Sequence, residues 1–147
     1  MVTQTNYTDR MDAGVAGAIV NTEPNVLISR SVEKAEGLGF GVPVAQGAND
    51  KGCTDTNGKT AVLGVTAIDR GVGGTTVDTF TQGESARIMT KGVIWVVAGE
   101  AVAAGDSVYV TASTGAFKKT ATGNVAIPNA RFDTSAANGG LVQVRLA

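Results

Sequence analysis

The sequence predicts an all-β fold: a small β-sandwich or barrel with an extended N-terminal arm and Gly-rich loops. Three observations carry that expectation. Of 147 residues, 20 are Val and 18 are Thr, side chains whose branching at Cβ suits a pleated strand. Another 20 are Gly, about twice the usual share, and they fall between short apolar runs where tight turns need them. Apolar residues alternate with a period of two in several segments, and no segment sustains a period of 3.6. Short strands joined by Gly-rich turns, without a convincing helix, belong to sandwiches and barrels.

Residues 1–36 read as an extended arm and residues 37–147 as a single β-rich domain. Met1 to Asp12 are polar and mixed. Ala13 to Val20 are small and weakly apolar, and Gly14 and Gly17 work against a helix. Pro24 follows, then Val26-Leu27-Ile28, and Glu33 to Glu36 have room for one helical turn. Thirty extended residues reach roughly 100 Å. Ala13, Val15, Ile19, Val20, Val26, Leu27 and Ile28 are therefore the candidate contacts by which an arm would lie on another protein surface.

The strand signals begin at Phe40. Phe40, Val42 and Val44 alternate with Gly41 and Pro43, and Pro43 places that strand at an edge or beside a bulge. Asn49 to Thr60 reads as a polar loop. Ala61 to Ile68 is nearly all apolar, which predicts cover on both faces. Arg70 to Thr76 is a Gly-rich loop. Ala86 to Ala98 is the strongest strand. Ile88, Thr90, Ile94 and Val96 fall on one face; Arg87, Met89 and Lys91, then Val93, Trp95 and Val97, fall on the other. Its second half thus has two apolar faces, so a second layer or a neighbouring subunit must cover one of them. Trp95 joins the candidate contacts on that ground, and Gly92 marks a bulge or bend. Ala98 to Ala104 reads as a loop. Val108 and Val110 flank Tyr109 in a hairpin that turns at Ser113-Thr114-Gly115 and returns through Ala116 to Lys119. Ala130 and Phe132 begin a short strand. After the turn at Asn138-Gly139-Gly140, Val142, Val144 and Leu146 share one face of the last strand.

The composition excludes much chemistry. Lys and Arg total 12 against 13 Asp and Glu, a net charge of -1, so no basic face is expected for nucleic acid. No histidine is present, which removes Ser-His-Asp and Cys-His nucleophiles and His-ligated zinc. One cysteine, Cys53, allows neither an internal disulfide nor a multi-thiolate metal site. No membrane segment is expected: Val93 to Ala98, the densest apolar run, is far too short to span a bilayer. The match of Asn6-Tyr7-Thr8 to a glycosylation sequon is read as accidental.

The local motifs fail on context. Gly52 to Thr60 imitates a phosphate loop but has one residue too many between its glycines and no helix to follow. Gly37-Leu38-Gly39 lacks the rest of a dinucleotide fingerprint. Asp55-Thr56-Asn57-Gly58 lacks the closing carboxylate of a calcium loop. Cys53, read as a loop residue near Lys51 and Lys59, lacks the partner that makes a thiolate catalytic. Glu84, Glu100, Asp106 and Asp133 form no pattern. No catalytic residue, cofactor or metal is expected. Charged residues at only 17%, with a mean hydropathy of +0.11, suit a surface that other protein covers.

Several segments, taken in order, resemble a known family. They are Phe40-Gly41-Val42-Pro43-Val44; Gly83 to Val96; Val102-Ala103-Ala104-Gly105-Asp106-Ser107-Val108-Tyr109-Val110; and Ala130-Arg131-Phe132 followed by Gly139 to Leu146. Together they resemble the structural cement proteins of tailed phages, capsid decoration proteins of the gp24-like type, over most of the chain from about Gly14. The resemblance implies a β-rich, non-enzymatic protein, often a homotrimer, on the exterior of a phage head. It implies the major capsid protein as partner and synthesis in the bacterial host cytoplasm. It brings no site residue with it. The alternative reading is an outward-displayed β-module for carbohydrate or host-surface binding, which the scarcity of aromatics opposes.

Overall fold

The computed structural model describes Thr3, residues 14–71 and residues 76–147. Ala13, and residues 72–75 of the Gly-rich loop, lie outside the described residues. Eleven strands are present among the described residues: β1 (Val26–Val32), β2 (Leu38–Gly39), β3 (Pro43–Gln46), β4 (Gly52–Thr54), β5 (Gly64–Thr66), β6 (Thr79–Phe80), β7 (Ser85–Val97), β8 (Ser107–Thr111), β9 (Ala116–Lys118), β10 (Val125–Phe132) and β11 (Leu141–Leu146). No helix occurs among the described residues, and the all-β expectation is met.

The strands close two barrels that share one strand. β1, β4, β3, β5 and β7 pair in that order, and β7 pairs back to β1. β1 runs parallel to β4 and antiparallel to β7. From β7 the sheet continues through β11, β10, β8 and β9. It curls until Phe117 of β9 meets Ala98, just beyond β7, in a parallel bridge. There the Gly99 N–H donates to the Phe117 carbonyl at 2.7 Å. Closure leaves few free edges for indiscriminate pairing. β2 and β6 form a separate two-stranded ladder.

Each barrel has its own buried cluster. Val32, Leu38, Val44, Cys53, Phe80, Ala86 and Ile88 gather at the first barrel. A larger group, including Ile94, Val96, Val108, Val110, Phe117, Phe132, Val142 and Val144, fills the second, and Val65 and Met89 join it. β7 serves both because its faces exchange part-way along. Val26 pairs with Lys91 but Leu27 pairs with Met89, so Thr90 is an extra residue opposite β1. Gly92 follows with φ 124°, open to glycine and costly for other residues. One inserted residue moves every later side chain to the opposite face. Met89, not Ile88, therefore packs with Ile94 and Val96. The single face expected for Ile88, Thr90, Ile94 and Val96 is corrected accordingly.

Other expectations change for local reasons. Residues 26–32, read as arm, are β1, a strand of the first barrel, because β7 and β4 offer partners on both of its sides. β3 starts at Pro43 and lies between β4 and β5 rather than at an edge. Proline is admitted there as the first residue of the strand. The polar loop 49–60 contains β4, whose three residues are too few to show a period. Glu33 to Glu36 make a turn, not a helix. β10 begins at Val125, hidden in the sequence by Pro128 and by Asn129, whose φ is 62°. The hairpin of β8 and β9 and the last strand fall where the sequence places them, with Val142, Val144 and Leu146 buried in strict alternation.

Candidate contact surface

The described part of the arm ahead of β1 is a strap laid along β7. The Gly17 N–H donates to the Trp95 carbonyl at 2.8 Å, the Trp95 N–H to the Ala18 carbonyl at 3.0 Å, and the Val20 N–H to the Val93 carbonyl at 3.1 Å. Ile19 sits opposite Ile94 in an antiparallel bridge and packs against the larger cluster. On its other side Gly17 accepts from the Ile68 N–H at 2.8 Å. The strap therefore touches both barrels. Gly17 (φ 86°) and Gly41 (φ 67°) cross backbone to backbone, and a Cβ at either would strike the other chain segment. Gly14 lies against the Trp95 indole, so that ring is half covered and is not an open stacking platform.

A charged cluster holds the strap at its far end. Arg145 of β11 donates from Nη1 to Glu23 Oε2 at 2.6 Å and from Nε to Asp133 Oδ2 at 2.9 Å. The hydrogen bond from Arg145 holds the Glu23 carboxyl below its ordinary range. The same bond, followed by that to Asp133, raises the Arg145 guanidinium. Arg131 stands 3.7 Å from Asp133. One guanidinium thus ties a strap residue to the second barrel. Sequence reasoning missed the cluster because 122 positions separate Glu23 from Arg145.

The sequence-predicted contact residues divide between three settings. Val15 is exposed at 54%, and Ile19, Val20 and Trp95 lie where strap meets β7. Val26, Leu27 and Ile28 are rungs of β1 against β7, with Val26 at 46% exposure. Ala13 lies outside the described residues. Two further exposed apolar residues stand outside that candidate set, Val77 at 83% and Val97 at 46%, the latter on the face of β7 that the sequence reads as needing cover. Val77 follows directly on a run read only as loop. A shallow cleft beside it is lined by Phe40, Ile68, Asp69, Arg70, Thr76 and Asp78.

Carboxylates in the body serve as backbone clamps. Glu33 accepts from the Asn49 N–H at 2.9 Å and the Ala48 N–H at 2.6 Å, which fastens the turn between β3 and β4. The bond from Asn49, then that from Ala48, lowers its pKa. Gly47 and Gly52 leave the space this carboxylate occupies. Glu100 accepts from the Lys119 N–H at 2.7 Å and the Thr120 N–H at 2.8 Å. Burial pushes the Glu100 carboxyl up, but the bonds from Thr120 and Lys119 outweigh it and the net shift is down. A cleft of about 160 Å³ lies between the β8–β9 turn and residues 34–43, and its Asp55 is paired to Lys34 at 2.8 Å. Among the described residues no group of three or more His, Cys, Asp or Glu converges to hold a metal ion. Cys53, placed by the sequence in a polar loop, is fully buried in β4, and burial pushes its thiol up to about 11. Lys51 and Lys59 do not activate it.

A family model described as structural cement protein (E217 gp24/Pam3 gp6), of phages, matches residues 3–147. The chain belongs to that family. This cement protein is accordingly a phage structural protein associated with the capsid, and its place is the virion. A chain of the capsid of Myoviridae phage XM1 has a similar fold, with TM-score 0.71 and 16% identity over 99% of this chain and 98% of that one. The head fibre gp8.5 N base of bacteriophage phi29 aligns at TM-score 0.49 and 14% identity, over 84% of this chain and 95% of that one. No curated protein sequence matches the chain.

Proposed function

We propose that this cement protein binds the assembled head from outside as a homotrimer, bridging neighbouring major capsid subunits and stabilising the shell without catalysis. The observation that carries the reading is the match of the cement family over residues 3–147. The architecture supports it. Two closed barrels share one strand, while Val15, Val26, Val77 and Val97 leave apolar side chains at the surface. The net charge of -1 lets many copies crowd one surface with little mutual repulsion.

The stabilisation follows from linkage. A protein that binds the assembled shell and not its separated subunits shifts the equilibrium toward the shell. Three copies held together convert weak individual contacts into strong avidity. Synthesis in the host cytoplasm completes the reading. The test is sedimentation of the purified full chain with and without purified heads stripped of it. Co-sedimentation that saturates, with heads that then resist heat at a higher temperature, is the expected result. A chain that stays in the supernatant at all concentrations overturns the proposal.

A further inference from the structure

We infer that residues 14–20 are an exchangeable strand, and that the edge of β7 at Val93–Trp95 accepts the same residues from a second copy of this chain. The inference rests on the self-association proposed above and names one of its contacts.

The body is complete without the strap. β1, which begins at Val26, closes the first barrel, and the bridge of Phe117 to Ala98 closes the second. No named strand of either barrel lies within residues 14–20. Yet the strap fills what would otherwise be an open sheet edge. Without it the Trp95 N–H and the carbonyls of Trp95 and Val93 lose their partners, and Ile94 loses its facing residue. An edge of that kind pairs with another strand. Its fit is defined by what sits there now: a positive-φ glycine crossing Gly41, and an isoleucine against the larger cluster. The occupant shown to meet those demands is this segment, so a second copy supplies it with the whole set of interactions preserved.

The connection permits exchange. Residues 21–25, Asn-Thr-Glu-Pro-Asn, lie between the paired strap and β1, and all but Glu23 are exposed. The Glu23 bond to Arg145 is their principal anchor to the body. Fully extended, five residues reach roughly 17 Å, which sets how far from β1 the strap can be carried. Exchange of an identical element forms oligomers at low cost, because the hydrogen bonds and packing broken within one chain re-form between two. Around a ring the exchange runs head to tail and closes, and the high local concentration of copies on a shell favours it.

The experiment mixes equal amounts of nitrogen-14 and nitrogen-15 full-length chains, unfolded and refolded together, with a photoreactive benzoylphenylalanine replacing Ile19. Irradiation joins position 19 to β7, and mass spectrometry reads which chains are joined. About half of the joined peptides carry one light and one heavy partner if straps are exchanged around a ring. Joined peptides that are all light–light or heavy–heavy overturn the inference. A second variant reads the same pairing without the bulky probe: Ile19→Cys with Ile94→Cys in a Cys53→Ala chain. Antiparallel partners without direct mutual hydrogen bonds, as these are, approach closely enough for a disulfide. Exchange yields covalent oligomers on a non-reducing gel, whereas a wholly monomeric disulfide overturns it. Light scattering on the same samples separates the two readings. A trimer whose links are all within chains removes the exchange alone; a monomer removes the proposed trimer as well.

Discussion

The two barrels share β7 but are held together differently. The second is an apolar structure: its cluster takes in fifteen buried residues against seven in the first. The first is built from strands of three or four residues apart from β1 and β7, and it is stitched by polar groups. Thr66, fully buried, donates its hydroxyl to the Gly39 carbonyl at 2.7 Å and accepts from the Val42 N–H at 3.0 Å. Glu33 fastens the next turn. Where strands are too short to bury much apolar surface, specific hydrogen bonds take over the positioning, because a buried polar group left unpaired is costly.

The contrast is sharpest when each barrel is damaged at its own kind of joint. Phe132→Ala, in the second barrel, has the largest expected effect, a loss of about 3–5 kcal/mol in denaturant unfolding. Because β7 is common property, both barrels should unfold in one transition. Trp95 fluorescence and far-UV circular dichroism should coincide, and two separated transitions would break the picture of a shared strand. Thr66→Val should cost about 1–3 kcal/mol although it preserves volume, since it orphans a backbone N–H and a carbonyl. A neutral result there would mean water replaces the hydroxyl.

Gly52→Ala probes the stitch directly, since a Cβ at that position collides with the Glu33 carboxylate. We expect a loss of about 1–3 kcal/mol from overpacking. In a Glu33→Ala background the same substitution should cost much less, and additive losses would show that the two do not share space.

The acid limb of the stability curve tests the clamps together. Glu33 and Glu100, like Glu23, have folded pKa values below the ordinary one. Their contribution is full above the usual glutamate value of about 4.3 and is lost as pH falls through the depressed values. Glu33→Gln and Glu100→Gln should flatten that limb, losing most stability at neutral pH and converging on wild type in acid, where the wild-type carboxyls are protonated. The smallest effect is at Cys53. Its thiol, raised to about 11, should react with a disulfide reagent only at the rate at which the first barrel opens. Its raised pKa adds a loss of stability as pH climbs from the ordinary thiol value through about 11.

What the sequence revealed depended on strand length. β11, the β8–β9 hairpin and most of β7 are long enough to display alternation, and their positions can be read from it. β4, with three residues amid Lys, Asp, Asn and Thr, has no pattern to show, so Cys53 was misplaced with it. The bulge at Thr90 is invisible in a string of letters because it is defined by the partner strand. For the contact surface, the apolar character of Ile19 and Trp95 was legible. That they meet along one β7 edge was not, since a ladder between residues 17–20 and 93–95 depends on the whole fold. Nothing in the sequence joins Glu23, Asp133 and Arg145 either, for the same reason.

β7 also has a mechanical meaning. It is a single girder of 13 residues, with one barrel hung on each end. Tension applied lengthwise would strain many rungs at once in shear, with β1 and β11 gripping it along successive stretches. Tension applied sideways would open the rungs one after another, as a zipper does. A protein of this design resists being stretched far better than being peeled, and the direction of pull, not only its strength, decides when it fails.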